Sequence, residues 1–152
     1  MARPVMLKEV LNPDLVMIDL DVESKAELID VLLDRLCSTG KVSSRDVAKA
    51  DLWANEKRTS TGMQHGIAIP HAKTAAVEAL LACVAVTRTP IEFGSVDHKP
   101  SQIFIMTLSP KDQAGPHMRF LSEIGRLLKN KKVRAEILGA TTRTELLDAL
   151  TQ

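Results

Sequence analysis

Leu80-Leu81-Ala82-Cys83-Val84-Ala85-Val86-Thr87 is apolar at nearly every position, and its reading decides the fold. A strand with one wet face alternates apolar and polar residues. A run without alternation is covered on both faces, as a central strand between layers of helices is. A buried helix segment is the alternative that periodicity leaves open. Pro90-Ile91-Glu92-Phe93-Gly94 is expected to break this strand, and Ile103 to Leu108 reads as another buried strand. Working outward, Leu15 to Leu20 reads as a strand. So does Ile67 to Ile69, whose β-branched residues sit two apart on one face.

Helical patterns separate these strands. Leu7 to Leu11 fits one helical turn that stops before Asn12-Pro13. Ser24-Lys25-Ala26-Glu27 is a capping box leading into Leu28, Ile29, Leu32, Leu33 and Leu36, with Gly40 placed to stop the helix. Ser43-Ser44-Arg45-Asp46 caps a second helix, which carries Val47, Ala50 and Ala54 at helical spacing and is predicted to end at Asn55-Glu56-Lys57. Pro116 suits the first turn of a helix carrying Leu121, Ile124, Leu127 and Leu128. Lys129 to Lys132 reads as a solvated helix end. Val133 to Leu138, and Glu145 to Leu150 after the Thr142-Arg143-Thr144-Glu145 capping box, are the last helices. The alternation predicts a single-domain α/β sandwich over residues 1–152: a mixed sheet of about four to five strands with helices on both faces. Strand order cannot be read from the sequence.

At 152 residues the chain is long enough to bury about 70% of its unfolded surface. Twenty Lys and Arg against nineteen Asp and Glu leave a formal charge of +1, which gives no field to attract nucleic acid or an anionic membrane. With no Tyr, one Trp and three Phe, base-stacking platforms are also lacking. No stretch has signal-peptide character or approaches the roughly 20 apolar residues of a membrane span, so a cytoplasmic location without membrane insertion is expected. Cys37 and Cys83 lack C-x-x-C spacing and read as small buried hydrophobes.

Chemistry is expected around Gly66-Ile67-Ala68-Ile69-Pro70-His71. Pro70 lacks an N–H for the sheet ladder, so the strand should end there and His71 should project just past a rigid end. The loop before it, Arg58 to Gly66, is rich in hydroxyl and glycine residues and suited to surround an anion. Walker A, G-x-G-x-x-G, H-E-x-x-H, zinc-ligand and G-x-S-x-G patterns are all absent. A small-ligand or metal site at His65 and His71 is a distant alternative, because six residues across a proline-containing strand suit a shared metal poorly. His65 and His98 read as solvent-exposed.

Ser60-Thr61-Gly62, the Ile-Ala-Ile-Pro-His string ending at His71, and His117 heading a Leu-rich helix together resemble the fructose/mannitol-type enzyme IIA family of the bacterial sugar phosphotransferase system. The likeness spans essentially the whole chain and is greatest to the free-standing nitrogen-regulatory branch. The resemblance implies that His71 accepts a phosphoryl group from a small phosphocarrier protein, HPr or its nitrogen-branch relative NPr, without a cofactor. His71 would pass it to an enzyme IIB domain, or its phosphorylation state would regulate a cytoplasmic protein. A purely regulatory binding module with little phosphotransfer is the alternative. The resemblance also implies that His117 stabilises the phosphoryl group, with Ser60 and Thr61 as hydroxyl donors. Family members usually carry an arginine where this chain has Asn55. An amide brings neither the charge nor the fork of a guanidinium, so Arg58, on nearly the same helical face, is the expected substitute.

Overall fold

The computed structural model describes residues 5–151. Its elements, in order, are α1 (Val5–Val10), a 3-10 turn (Pro13–Leu15), β1 (Val16–Leu20), α2 (Lys25–Cys37), α3 (Arg45–Arg58), β2 (Ile67–Ala68), β3 (His71–Lys73), β4 (Leu81–Ile91), β5 (Ser101–Ser109), α4 (Ala114–Lys129), α5 (Lys131–Gly139) and α6 (Arg143–Thr151).

The apolar run is a central strand. β4 pairs in parallel with β1 on one side and antiparallel with β5 on the other. β2 and β3 follow one another along the far edge of β5, both parallel to it, so the order is β1-β4-β5 and then β2 with β3. Every residue from Leu81 to Thr87 is buried. Successive side chains point to opposite faces, so both faces of the mixed five-stranded sheet are covered by helices. The Cys83 thiol, deep in the core, donates to the Leu32 carbonyl of α2 at 3.4 Å, which places α2 on that face.

The helices start where their caps predict. Ser24 Oγ accepts the Glu27 N–H at 3.1 Å, Ser44 Oγ that of Val47 at 3.2 Å and Thr142 Oγ1 that of Glu145 at 3.1 Å. In two of them the acidic residue reaches one place further back than a capping box requires. Glu27 accepts from the Glu23 N–H at 3.5 Å, and Glu145 from the Thr141 N–H at 3.0 Å. Asn130 separates α4 from α5 and caps the latter, so the basic run is an exposed helix junction.

The buried face of α3 is Ala48, Leu52 and Glu56; Val47, Ala50 and Ala54 point to solvent, because small apolar residues at helical spacing cost little when exposed. Three expectations need correction. Pro90 does not stop β4, which continues to Ile91. The register slips between Val86 and Ile91, and Arg88, Thr89 and Pro90 bulge outward, where a missing N–H is harmless. The edge strand does not end at Pro70 but resumes at His71. Cys37 is only half-buried, whereas Cys83 is fully buried; both thiols are free, and burial pushes each pKa up.

Candidate functional site

Pro70 shapes the site by interrupting the edge strand without detaching it. It has no N–H to donate, yet its carbonyl accepts the Thr107 N–H at 3.0 Å, which brings the next residue back into the ladder. His71 stands in register with Thr107 and Lys73 with Ser109. Residues two apart share a face, so one face of this edge presents His71, Lys73, Thr107 and Ser109 together.

The half-buried His71 ring is fixed by the backbone just before it. Its Nδ1 lies 2.6 Å from the Ile69 carbonyl oxygen. A carbonyl can only accept, so Nδ1 carries a hydrogen, and in the neutral ring the lone pair is on Nε2. The His117 ring stands 5.5 Å away, centroid to centroid, tilted by 47°.

α4 begins at Ala114, earlier than Pro116 predicts, which makes His117 its fourth residue. Its backbone N–H is already bonded to the Gln113 carbonyl at 3.1 Å. The open N–H groups of this helix end therefore belong to Ala114 and Gly115, and Gln113 offers them no side-chain cap. His117 is only 4% exposed, with Nδ1 2.7 Å from the buried Ser109 Oγ. Burial above all, then the neighbouring His71 and Lys73, hold its pKa below the ordinary histidine value, so at neutral pH it is an uncharged imidazole.

α3 supplies the opposite wall. It continues to Arg58, which stacks Asp51, Asn55 and Arg58 on one face at i, i+4 and i+7. All three line a cavity of about 430 Å³ together with His71, Lys73 and His117. Asn55 bridges: its Nδ2 donates to the His71 carbonyl at 2.8 Å, and its Oδ1 accepts from Arg58 Nη2 at 2.9 Å. A second cavity of about 320 Å³, lined by Ser60, Thr61, Met63, Leu121 and Gly125, opens beside His71.

Ser60 and Thr61 thus border the site, but their hydroxyl protons are spent elsewhere. Ser60 Oγ donates to the Phe93 carbonyl at 2.7 Å and accepts the Gly62 N–H at 3.2 Å. Thr61 Oγ1 donates to Glu56, whose other oxygen accepts the Thr61 N–H at 3.2 Å. Both anchor the loop rather than point donors at His71. Glu56 is buried and also pairs with Lys25 Nζ at 2.8 Å. The anchored loop lies along the sheet edge, with the Ile69 N–H on the Thr61 carbonyl at 3.0 Å. His65 and His98 are exposed, both at positive φ. Among the described residues no three His, Cys, Asp or Glu side chains gather as a metal site would require, and no helix is long and apolar enough to cross a membrane.

Ser109, Lys73 and Asp51 belong to this constellation without having been picked out of the sequence. A strand resuming after Pro70 would have flagged Lys73. Ser109 becomes visible only once the β3–β5 register is known.

With a paired histidine site at the edge of a mixed sheet established, the comparisons with known proteins assign a class. The chain belongs to the family described as "Phosphoenolpyruvate-dependent sugar phosphotransferase system, EIIA 2", whose sequence profile matches residues 9–152, and is therefore a component of that system. It is 34% identical over 129 residues to the "PTS system fructose-specific EIIA component" of Haloferax volcanii, a match covering 85% of this chain and 84% of that one. It is 27% identical to the "PTS system fructose-specific EIIABC component" of Bacillus subtilis, covering 96% of this chain but 23% of that longer protein. Among solved structures, the nitrogen regulatory protein IIA-Ntr of Neisseria meningitidis superposes with a TM-score of 0.84 at 28% identity, covering 96% of this chain and 99% of that one.

Proposed function

We propose that this protein is a cytoplasmic phosphoryl carrier that receives a phosphoryl group on His71 Nε2 from an HPr/NPr-like phosphocarrier and passes it to an enzyme IIB domain. The observation that supports this most is the 2.6 Å contact between His71 Nδ1 and the Ile69 carbonyl. In the neutral ring it puts the lone pair on Nε2, so an N–P bond can form there as the donor's bond to phosphorus breaks, with no proton to remove first. The positive charge the imidazole gains is met by the carbonyl that already holds Nδ1–H. Phosphoryl transfer asks chiefly for positioning and for stabilisation of charge on the equatorial oxygens. Arg58, Ala114 and the His117 ring line the same cavity, and the open N–H groups at the start of α4 belong to Ala114 and Gly115. For His117 to donate from Nε2, its Nδ1 must accept, and Ser109 Oγ can give it that hydrogen. No cofactor enters the scheme.

The test is incubation with a phosphorylated HPr-type carrier, followed by intact-mass measurement without acid exposure. Wild type gains one phosphate and His71→Ala gains none; equal labelling of the two would refute the proposal.

A second reading, in which the phosphorylated state regulates another cytoplasmic protein, is favoured by Met63 and Met118. These flank the site and are 41% and 59% exposed. A phosphoryl group adding nearly two negative charges beside an apolar docking face would change what binds there. Identical partner affinity for phosphorylated and unphosphorylated protein would exclude it.

A further inference from the structure

Arg58 is held in an unusual way. Among the described residues its only side-chain hydrogen bond is to the Asn55 amide oxygen, at 2.9 Å, and it forms no ion pair. Yet Asp51 stands on the same helical face and lines the same cavity, and its Oδ2 is buried without any partner. The guanidinium rests on a neutral amide, while the Asp51 carboxylate, two turns away on the same face, forms no ion pair among the described residues.

The choice has a chemical consequence. A carboxylate would neutralise the guanidinium and, by gripping it bidentately, would compete directly with a phosphoryl group for the same donors. An amide oxygen accepts one N–H, leaves four free and leaves the positive charge uncompensated. The same amide spends its other end on the His71 carbonyl at 2.8 Å. One side chain therefore ties the backbone of His71 to a cation that lines the same cavity.

We propose that Asn55 is a positioning residue: a neutral tether that aims the Arg58 guanidinium at a phosphoryl group on His71 without quenching its charge. The inference rests on the carrier reading of His71 and deepens it. Asn55 is thus the element that makes Arg58 useful, rather than a defect in charge stabilisation.

The test measures kcat/KM for phosphoryl uptake from a phosphorylated HPr-type carrier in wild type, Asn55→Ala, Asn55→Asp, Arg58→Ala and the Asn55→Ala/Arg58→Ala double variant. Because charge-assisted hydrogen bonds are at stake, each alanine variant is expected to lose about tenfold. The double variant is expected to lose no more than the worse single one, since Asn55 acts through Arg58. Asn55→Asp, which keeps an acceptor for Arg58 but adds a charge, is expected to fall below Asn55→Ala and to recover towards it as salt is raised. Multiplicative losses in the double variant, or Asn55→Asp matching wild type, would overturn the proposal. The carrier reading is checked separately: if wild type takes up no phosphate at all, that reading fails, whereas uptake with additive variants sinks only the tether.

Discussion

Glu56→Ala is the perturbation whose cost can be worked most fully from the structure. The Glu56 side chain is 2% exposed and satisfies three donors: Lys25 Nζ at 2.8 Å, the Thr61 N–H at 3.2 Å and the Thr61 hydroxyl. Through them it ties α3 to α2 and to the loop that borders His71. Truncation strands all three. Breaking a fully buried pair from one side costs about 3–5 kcal/mol. The Lys25 side chain is 25% exposed and rests over the Phe93 ring, 4.4 Å from its centroid, so part of its solvation is recovered. The orphaned Thr61 N–H adds about 1–3 kcal/mol. A net loss of about 3 kcal/mol follows, which lowers Tm by roughly 6–12 °C in a chain of this size. Lys25→Ala leaves the buried Glu56 carboxylate without its cation but with both Thr61 donors, and should also cost about 2–3 kcal/mol. Urea denaturation monitored by circular dichroism reads both values. If Glu56→Ala cost under about 1 kcal/mol, Glu56 would not be the anchor of this loop.

Other outcomes follow from single contacts. A Cβ on Gly62 would meet Ser95 Oγ at 2.6 Å and Ser95 Cα at 2.9 Å, so Gly62→Ala should force the two loops apart and cost about 1–3 kcal/mol in the same denaturation assay. The lowered pKa of His117 means that the unfolded chain binds its proton first. Its contribution to stability is therefore present above about pH 6.5 and is lost as pH falls through the lower folded value. Tm measured from pH 7.5 to pH 5 should fall more steeply for wild type than for His117→Gln. Ser109→Ala removes the partner of His117 Nδ1 and should slow phosphoryl uptake with little change in carrier binding, measured as a fall in kcat at nearly constant KM.

The layered architecture was legible because its signals are local. Unbroken burial from Leu81 to Thr87 and the caps at Ser24, Ser44 and Thr142 each depend on residues a few places apart. What failed needed the third dimension. Alanines do not say which side of α3 faces the core, and the burial of Glu56 depends on Lys25 and Thr61, which arrive from elsewhere. The return of the edge strand after Pro70 depends on β5 offering the Thr107 N–H. His71, His117, Asn55 and Arg58 were legible as a group and do converge on one cavity. Ser60 and Thr61 were legible as neighbours of the site, but where their hydroxyl protons go depends on Phe93 and Glu56.

The central claim is that Nε2 of His71 is the acceptor, set free by the hydrogen bond that occupies Nδ1. Long-range proton–nitrogen NMR of the ring nitrogens, recorded on protein freshly phosphorylated by an HPr-type carrier, tests it most directly. The expected result is phosphorus bonded to Nε2 of His71, with Nδ1 still protonated and His117 unmodified. Phosphorus on Nδ1 of His71, or on His117, would contradict it.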